Sequence, residues 1–342
     1  MKVDTTMVLG NEHLSDLPQL ASYAKKLESI GFDGAFSFEG QHDPFLPLAI
    51  AAQQTQHMQL GTGIAVAFAR NPMNLAHLAY DLQLMSKGRF ILGLGSQIQA
   101  HIEKRYSMTW SRPAARMKEM IQSVRAIWHS WQTDEPLRFE GEFYRHTIMT
   151  PAFNPGPNPY GAPKIYAAGV GAVMIEAVSE VADGLTIHPF NTAKSLLELT
   201  LPAIEKGLAN GGVDRKDFEV SCNVIIGSGN NEQEINAAKE LIKKQIAFYG
   251  STPAYRPVLE CHGWGWLQPE LNRLSKLGQW DDMKGLISDE MMDAIAVVGP
   301  RDEISARIKQ KLDGVADRVN LVARYTPDES DWADVVTQLK AV

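Results

Sequence analysis

Acidic and imidazole side chains stand close together in residues 38–44 of this 342-residue chain, directly after a short apolar run. Glu39, His42 and Asp43 fall within that segment. A carboxylate and an imidazole a few residues apart can act as general acid, general base or substrate holder. The structural alternative is that Glu39 or Asp43 caps the following helix while His42 packs locally. Residue types alone favour this alternative.

Glycines mark the next apolar run. Gly63 precedes the β-branched Ile64 in the segment GTGIAVAF, and a glycine inside a strand indicates a bulge or a close backbone approach. The glycine fits a crowded interior that has no room for a side chain, and it equally fits a backbone surface offered to a flat ring. Spacing alone does not decide between them.

Polar residues follow the run that ends at Gly95. Ser96, Gln97 and His101 supply groups for the edge of a heteroaromatic ring, and Gly95 lets a ligand approach the backbone closely. The alternative for His101 is a solvent-facing or structurally bonded position on a new helix. The segment is a candidate for binding an aromatic cofactor.

A further glycine-containing turn, Gly169-Val170-Gly171, connects the fifth apolar run to a helix. This arrangement presents free backbone N–H groups to a phosphate. It resembles a dinucleotide fingerprint, but Met174 stands at the third glycine position, so a Rossmann interpretation is disfavoured. A tight turn between strand and helix is the structural alternative.

Metal, thiol and serine-nucleophile chemistry are disfavoured. Cys222 and Cys261 form no CxxC pair, and Cys261 adjoins His262 instead of standing at metal-ligand or nucleophile–base spacing. The chain has no HExxH, Walker loop, DxDxDG or Ser-centred nucleophile elbow. We therefore expect no metal, and an organic cofactor at the glycine-rich strand ends.

The elements that must position these residues alternate between β-branched or apolar runs and amphipathic helices, which is typical of βα units. A doubly wound sheet is the rival, but the segment MVLGNEHLSD has only one glycine where that fold needs a glycine-rich fingerprint. We predict an α/β fold, a (β/α)8 TIM barrel whose carboxyl-end rim carries function. The eight predicted strands are 3–9, 35–38, 58–67, 90–94, 164–168, 184–188, 218–226 and 318–323.

Local signals predict where elements begin and end. Ser15 is the expected N-cap of the first helix, and Gly31 suits its end. Residues 251–292, rich in Trp and Gly, are too long for an ordinary loop and are predicted to be an inserted, partly helical lid or wall. Residues 1–342 are expected to form a single domain.

Composition excludes several classes of protein. With 44% apolar and 21% charged residues, the chain can bury a full core and has no disorder signature. The net charge of −7 argues against a nucleic-acid or membrane partner. The first residues lack a basic segment followed by an apolar one, so we expect no signal peptide and a soluble, cytoplasmic protein that acts on a small molecule.

Taken in order, these segments resemble the luciferase-like monooxygenase superfamily, and within it the branch that depends on coenzyme F420. The resemblance is carried by GFDGAFSFEGQHDPFLPLA, LGTGIAVAFARNP, SKGRFILGLGSQIQAHIEKRY, WSRPAARMKEMIQSVRAIW, IYAAGVGAVMIEAVSEVADG and VVGPRDEISARI. It spans nearly the whole chain, and it is far more specific for the family than for the substrate.

The resemblance implies a deazaflavin site on the barrel rim. It implies a non-proline cis peptide between Gly63 and Ile64 behind the ring, ring-edge contacts in the loop that starts at Gly95, and a phosphate site after the fifth strand. The implied cofactor contacts are Glu39, Gly63, Ile64, Gly95, Ser96, Gln97, His101, Gly169, Val170 and Gly171.

Two departures concern the proton-handling residues. Relatives that oxidise sugar phosphates or alcohols have an Asp–His pair where this chain has Glu39–Gly40, and a Glu where it has Ile98. Sugar-phosphate dehydrogenation is therefore not expected. We expect a more apolar substrate pocket, partly closed by Trp264 and Trp266 of the insertion.

The function that the resemblance implies is hydride transfer between coenzyme F420 and a small organic substrate, with Glu39, His42 or His101 managing the proton. An FMN-dependent monooxygenase supplied by a separate flavin reductase is the alternative, because the same barrel accepts either ring. A non-catalytic flavin-binding or structural barrel is the third interpretation.

Two predicted helices carry almost no charge. Residues 44–55 and 73–85 contain only Asp81 as a charged residue, although barrel helices normally present a charged face to water. Charge depletion is typical of interface cores. We therefore predict a homodimer formed through these helices.

Overall fold

A closed parallel barrel forms the centre of the structure. The computed structural model describes residues 1–7, 16–323 and 330–341. Within these ranges eight strands pair in chain order, all in parallel, and the last pairs with the first. They are β1 (Lys2–Thr6), β2 (Gly34–Ser37), β3 (Gln59–Thr62), β4 (Phe90–Gly95), β5 (Lys164–Ala168), β6 (Gly184–Ile187), β7 (Glu219–Gly229) and β8 (Arg318–Ala323). This architecture confirms the predicted (β/α)8 barrel.

Helices occupy the connections between the strands. They span Leu17–Ile30, Phe45–Gln54, Pro72–Met85, Gln99–Lys104, Pro113–Thr133, Ala172–Ser179, Ala193–Ser195, Leu201–Gly211, Glu232–Gly250, Arg256–Glu260, Leu267–Lys276, Trp280–Gly285, Asp289–Ile295, Arg301–Leu312 and Ser330–Lys340. A π-helical turn, Leu196–Thr200, joins two of them. In the described part of the chain, none of the helices combines the length and apolar character needed to cross a membrane.

The observed strands agree with the predicted ones in position and differ at their ends. The prediction 3–9 runs past Met7, so its last two residues lie outside the described ranges. The prediction 58–67 is divided, because β3 ends at Thr62 and a short strand, Ala65–Val66, pairs with β4 beyond it. A further strand, Val297–Pro300, pairs with the end of β7. Sequence reasoning missed it because a four-residue run that contains Gly and Pro has no strand signature.

The first helix has a different N-cap from the predicted one. Asp16 is the N-cap and accepts a hydrogen bond from the Gln19 N–H at 2.8 Å. The expectation of Ser15, which itself lies outside the described residues, was therefore wrong, and both residue types cap helices well. The other end is confirmed, because Gly31 follows the helix with a φ of 101°.

The insertion 251–292 is helical, as predicted. Its helices contribute Leu259, Leu271 and Met283 to a second buried apolar cluster. Ile225 of β7 and Val298 belong to the same cluster. The insertion is therefore packed against the barrel on the side of β7.

A buried ion pair joins the strands that close the barrel. Arg318 of β8 donates to the two carboxylate oxygens of Asp4 of β1 at 2.8 and 2.7 Å, and to Gln59 Oε1 at 2.6 Å. Both charged side chains are fully buried. The pair lies near the amino ends of the strands, away from the rim where barrel enzymes place their chemistry.

Replacing Arg318 is expected to destabilise the fold strongly. Arg318→Ala leaves the Asp4 carboxylate buried without its cation, so the free energy of unfolding should fall by about 3–5 kcal/mol. Urea unfolding measures this change. As a matched control, Arg273→Ala removes an exposed pair with Glu270 and should leave the urea unfolding midpoint nearly unchanged. Equal losses in the two variants would contradict the structural role of the buried pair.

Candidate active site

The carboxylate of Glu39 accepts hydrogen bonds from three groups on the carboxyl-end rim. Its oxygens accept hydrogen bonds from the Val66 N–H at 2.7 Å, from the Tyr106 hydroxyl at 2.8 Å and from the Arg70 guanidinium. The backbone N–H of Glu39 donates to the Ile64 carbonyl at 2.9 Å. The side chain is 8% exposed. Glu39 therefore joins the end of β2 to the segment after β3 and to the loop after β4.

Tyr106 and Arg70 complete this network, and sequence reasoning missed both. Burial, and then the hydrogen bond and charge of Glu39, raise the pKa of the Tyr106 hydroxyl. Arg105 strengthens the same contact, because it donates to the Gly40 carbonyl at 2.7 Å. With both Glu39 oxygens bonded, the geometry suits a residue that fixes the rim. The proposed catalytic role of Glu39 stays a prediction.

Asp43 is not the N-cap of the next helix, as the structural alternative allowed, because that position is occupied by Pro44. Its carboxylate accepts from the Phe45 N–H at 2.8 Å, at the start of the helix Phe45–Gln54, and pairs with Arg70 at 3.2 Å. His42 and His101 are both exposed. Within the described ranges, neither imidazole forms a hydrogen bond to Glu39. The structure therefore does not join the three residues predicted to manage the proton into one unit, and their roles stay predictions.

The bond between Gly63 and Ile64 is a cis peptide, as the resemblance implies. At three of the rim glycines, the structure fits the alternative of a crowded position that has no room for a side chain. A Cβ at Gly63 would lie 3.1 Å from Phe36 Cβ, one at Gly95 would lie 2.7 Å from the Ile64 side chain, and one at Gly169 would lie 2.9 Å from Ile175. These glycines make room for neighbouring side chains. A flat ring over Gly95 would therefore rest on Ile64.

The loop after β4 forms a local turn. Gln97 has a φ of 59°, its Oε1 accepts from the Ile98 N–H at 3.0 Å, and the Ser96 hydroxyl donates to the Gln97 carbonyl at 3.1 Å. Both side chains are partly exposed. These two residues therefore reach the rim in a fixed turn, as a ring-edge contact requires.

The start of the helix Ala172–Ser179 is open at Gly171, in contrast to the crowded positions of Gly63, Gly95 and Gly169. Gly171 has a φ of 79°, and among the described residues no side chain caps the helix and a Cβ at Gly171 would meet nothing within 4 Å. Val170 and Gly171 are exposed. The first N–H groups of a helix and its dipole favour an anion. This end of the site fits the phosphate of a flavin or deazaflavin.

An aromatic group surrounds His188, which follows β6. The ring stacks on Tyr255 of the insertion with centroids 4.4 Å apart and planes at 20°, and meets Tyr249 edge-on at 4.7 Å and 78°. Its Nδ1 accepts from the Phe190 N–H at 3.1 Å. Burial lowers the pKa of His188 to about 3, so the imidazole is neutral at physiological pH.

The insertion meets the barrel through different aromatic residues from those expected. Trp266 is 58% exposed. Trp264 stacks on His262 at 4.3 Å, and His262 Nε2 lies 2.8 Å from the Thr192 hydroxyl in the loop after β6. Tyr255, which sequence reasoning did not single out, contacts His188 at the rim itself.

Comparison with known proteins identifies the family. Residues 3–318 match the luciferase-like monooxygenase family. The chain belongs to this family. An uncharacterised protein of Mycobacterium tuberculosis is 55% identical over 305 residues, which is 89% of this chain and 90% of the relative. A 5,10-methylenetetrahydromethanopterin reductase of Archaeoglobus fulgidus is 26% identical, with 89% of this chain and 90% of the relative covered.

Solved structures of luciferase-like proteins have the same fold. The coenzyme F420-dependent tetrahydromethanopterin reductase of Methanopyrus kandleri matches with a TM-score of 0.78 and 20% identity, over 98% of this chain and 97% of that one. The oxygenating component of 3,6-diketocamphane monooxygenase of Pseudomonas putida, in complex with FMN, matches with a TM-score of 0.68 and 16% identity, over 99% and 97%. At these identities the likeness shows the fold alone.

The buried imidazole of this luciferase-like protein should make its stability depend on pH. An unfolded histidine titrates near 6.5, whereas folding lowers the pKa of His188 to about 3. Between those values the unfolded chain binds a proton that the folded chain does not, so stability is lost as the pH falls. Compared with His188→Gln, the parent should lose up to about 1.4 kcal/mol more per pH unit below pH 6. Urea unfolding at several pH values measures the difference, and equal slopes would contradict the assignment.

Proposed function

We propose that this luciferase-like protein is an oxidoreductase that transfers a hydride between coenzyme F420 and a small, fairly apolar organic substrate. The observation that carries the cofactor part of the proposal, a flat ring with a phosphate, is the exposed helix start at Gly171, which offers N–H groups to a phosphate on the barrel rim. The similarity to a methylenetetrahydromethanopterin reductase supports redox chemistry on an organic substrate.

Three segments would hold the cofactor. Residues 169–171 and the helix that follows would bind its phosphate, the Ile64 side chain and the Gly63 backbone would support the ring, and the turn at residues 95–97 with His101 would meet the ring edge. Bound deazaflavin supplies a site that gives or accepts a hydride. Glu39 keeps the segment after β3 in place, and Glu39, His42 or His101 would hold or release the proton. Exclusion of water by the rim would supply much of the rate gain.

An FMN-dependent monooxygenase is the second candidate. It is favoured by the shared fold with an oxygenating component that binds FMN. FMN also carries a flat ring and a phosphate, so the same rim residues would hold it. A purified protein that binds FMN and not F420 would select this candidate.

Cofactor binding tests the proposal directly. The parent should bind F420 with a dissociation constant in the micromolar range or below, as followed by the change in F420 fluorescence, and it should bind FMN far more weakly. Ala172, exposed at the first helical position, gives a matched pair of variants. Ala172→Asp places a carboxylate beside the phosphate and should weaken binding about tenfold or more, whereas the neutral Ala172→Asn should weaken it much less. Identical affinities in the two variants would contradict a phosphate at this helix start.

The proton-handling roles are tested by turnover with the cofactor bound. At least one of Glu39→Gln, His42→Ala and His101→Ala should lower kcat about 10²-fold or more, as loss of a general acid or base does. Parental turnover in all three variants would overturn these assignments and leave the cofactor proposal standing.

We also propose that the protein is a homodimer formed through the helices Phe45–Gln54 and Pro72–Met85. Leu46, Leu78, Leu84 and Met85 on these helices are between 39% and 61% exposed. Asp81 is the sole charged residue within the two helices. An exposed apolar surface without charge is typical of a subunit interface.

The dimer proposal predicts a defined response to charge. The parent should sediment as a dimer at micromolar concentration, and the double variant Leu46→Glu, Leu84→Glu should sediment as a monomer because it buries two carboxylates in the interface. Leu277→Glu, at a 62% exposed site on the insertion, should remain dimeric. A monomeric parent in analytical ultracentrifugation would refute the proposal.

A further inference from the structure

His188 lies on the inner face of the rim. Four residues earlier on β6, a Cβ at Gly184 would lie 2.8 Å from the Tyr166 ring, and Tyr166 packs inside the barrel with Phe36 and Ile91. Side chains two and four residues apart on a strand share a face. β6 ends one residue before His188, so the imidazole stands at the carboxyl end, where barrel enzymes place their reacting groups.

The imidazole carries one hydrogen-bond donor that has no acceptor. Because Nδ1 accepts from the Phe190 N–H, the ring proton of the neutral form is on Nε2. Among the residues that the structure describes, no group accepts a hydrogen bond from Nε2, and the residue is partly exposed. Nε2 is not one of the buried unpartnered side-chain atoms of the described residues, so it reaches solvent at the rim. A substrate oxygen that displaces water there would accept its hydrogen bond.

The donor is held rigidly. Tyr255 stacks on one face of the ring, and Tyr249 packs edge-on against it. The Tyr249 hydroxyl accepts from Gln245 Nε2 at 2.9 Å, which fixes the second ring in turn. A donor fixed before the reaction stabilises developing negative charge without reorganisation. Burial lowers the pKa of His188 to about 3, so the group remains a neutral donor and not a cation.

We propose that His188 is a catalytic residue whose Nε2–H donates a hydrogen bond to the oxygen of a carbonyl substrate, a small ketone or aldehyde lying beside the Tyr249 and Tyr255 rings. This inference rests on the proposed function and narrows its substrate class to carbonyl compounds and the corresponding alcohols. Neutral imidazole polarises carbonyl groups in this way in other barrel chemistry.

In the direction of reduction, reduced deazaflavin would be the two-electron donor: one of its C–H bonds would break, the hydride would form a new C–H bond at the carbonyl carbon, and the deazaflavin would be left oxidised. The π pair of the C=O bond would move to oxygen, and the Nε2–H hydrogen bond would stabilise the resulting alkoxide. The alkoxide takes its proton from the group that handles it in the proposed function, Glu39, His42 or His101, and not from His188, because a neutral imidazole that gave up Nε2–H would become a strongly basic anion. Oxidation of the alcohol is the same step in reverse.

Kinetics with defined ketones test the role. Cyclohexanone and acetophenone are the probes, with reduced F420 in excess. His188→Phe keeps an aromatic ring between the tyrosines and removes the donor, so kcat should fall about 10²-fold or more, with KM changed far less. His188→Gln restores an N–H donor and should recover part of kcat. Since the neutral ring does not titrate between pH 5 and 8, the dependence of kcat on pH should have the same shape in His188→Phe as in the parent.

His262→Phe is the matched control. It replaces another imidazole, which stacks on Trp264 in the insertion, and it should keep parental kcat.

A spectroscopic readout makes the test independent of the variants. The C=O stretching band of acetophenone bound to the parent with oxidised F420 should move to lower frequency than in water-free solvent, and an unshifted band would overturn the proposal. If the parent binds no F420, the proposed function and this inference fall together. If it binds F420 and reduces no ketone, or if His188→Phe keeps parental kcat, this inference alone fails.

Discussion

The rim depends on one carboxylate, because Glu39 is where three separate segments meet. Its oxygens bond to Val66 and Arg70 after β3 and to Tyr106 after β4, while its own backbone belongs to the end of β2. Parallel strands bring their carboxyl ends to one edge, but nothing in strand pairing fixes the loops there. A charge accepting three donors supplies that restraint, and it places the Ile64 side chain over Gly95. The surface that any flat ligand would meet on this side of the barrel is therefore set by Glu39.

On the opposite side of the rim, the key residue is His188, whose ionisation is set by burial and not by an ion pair. β6 lies across the eight-stranded barrel from β2. His188 there contacts Tyr249 and Tyr255, and within the described ranges no charged group pairs with it. Desolvation removes charge from a group, whereas pairing retains it. The rim thus holds a fixed anion on the β2 side and a neutral donor on the β6 side. Because the two groups lie on opposite sides, the β2 side can hold the loops in place while the donor on the β6 side is free to contact a substrate.

The barrel could be predicted from the sequence because each strand is a local pattern of apolar residues. The site could be predicted only in part, because its contacts join residues that lie far apart in the chain. All eight strands follow from short apolar runs between helices, and even the division after Thr62 falls at the glycine that marked it. Tyr106, by contrast, lies 67 positions from Glu39, and Tyr255 reaches His188 from an insertion. Contacts between such distant residues produce no recognisable spacing in the sequence. The role of a glycine could not be predicted from the sequence for a physical reason. Gly95 leaves room for a neighbouring side chain, whereas Gly171 faces open space, and the sequence does not distinguish the two cases.

The two candidate cofactors make similar demands on this rim, so their discrimination must arise beyond it. Each has a flat tricyclic ring and a phosphate, and neither the Ile64 side chain nor the helix start after Gly171 distinguishes one from the other. The difference lies in what must fit over the reactive face. An oxygenase needs space there for bound oxygen as well as substrate, whereas hydride transfer needs the substrate in direct contact with the ring. Tyr255, contributed by the insertion, stacks on His188 on the β6 side of the rim. The insertion is therefore the part of this barrel where residues that bear on this difference can lie.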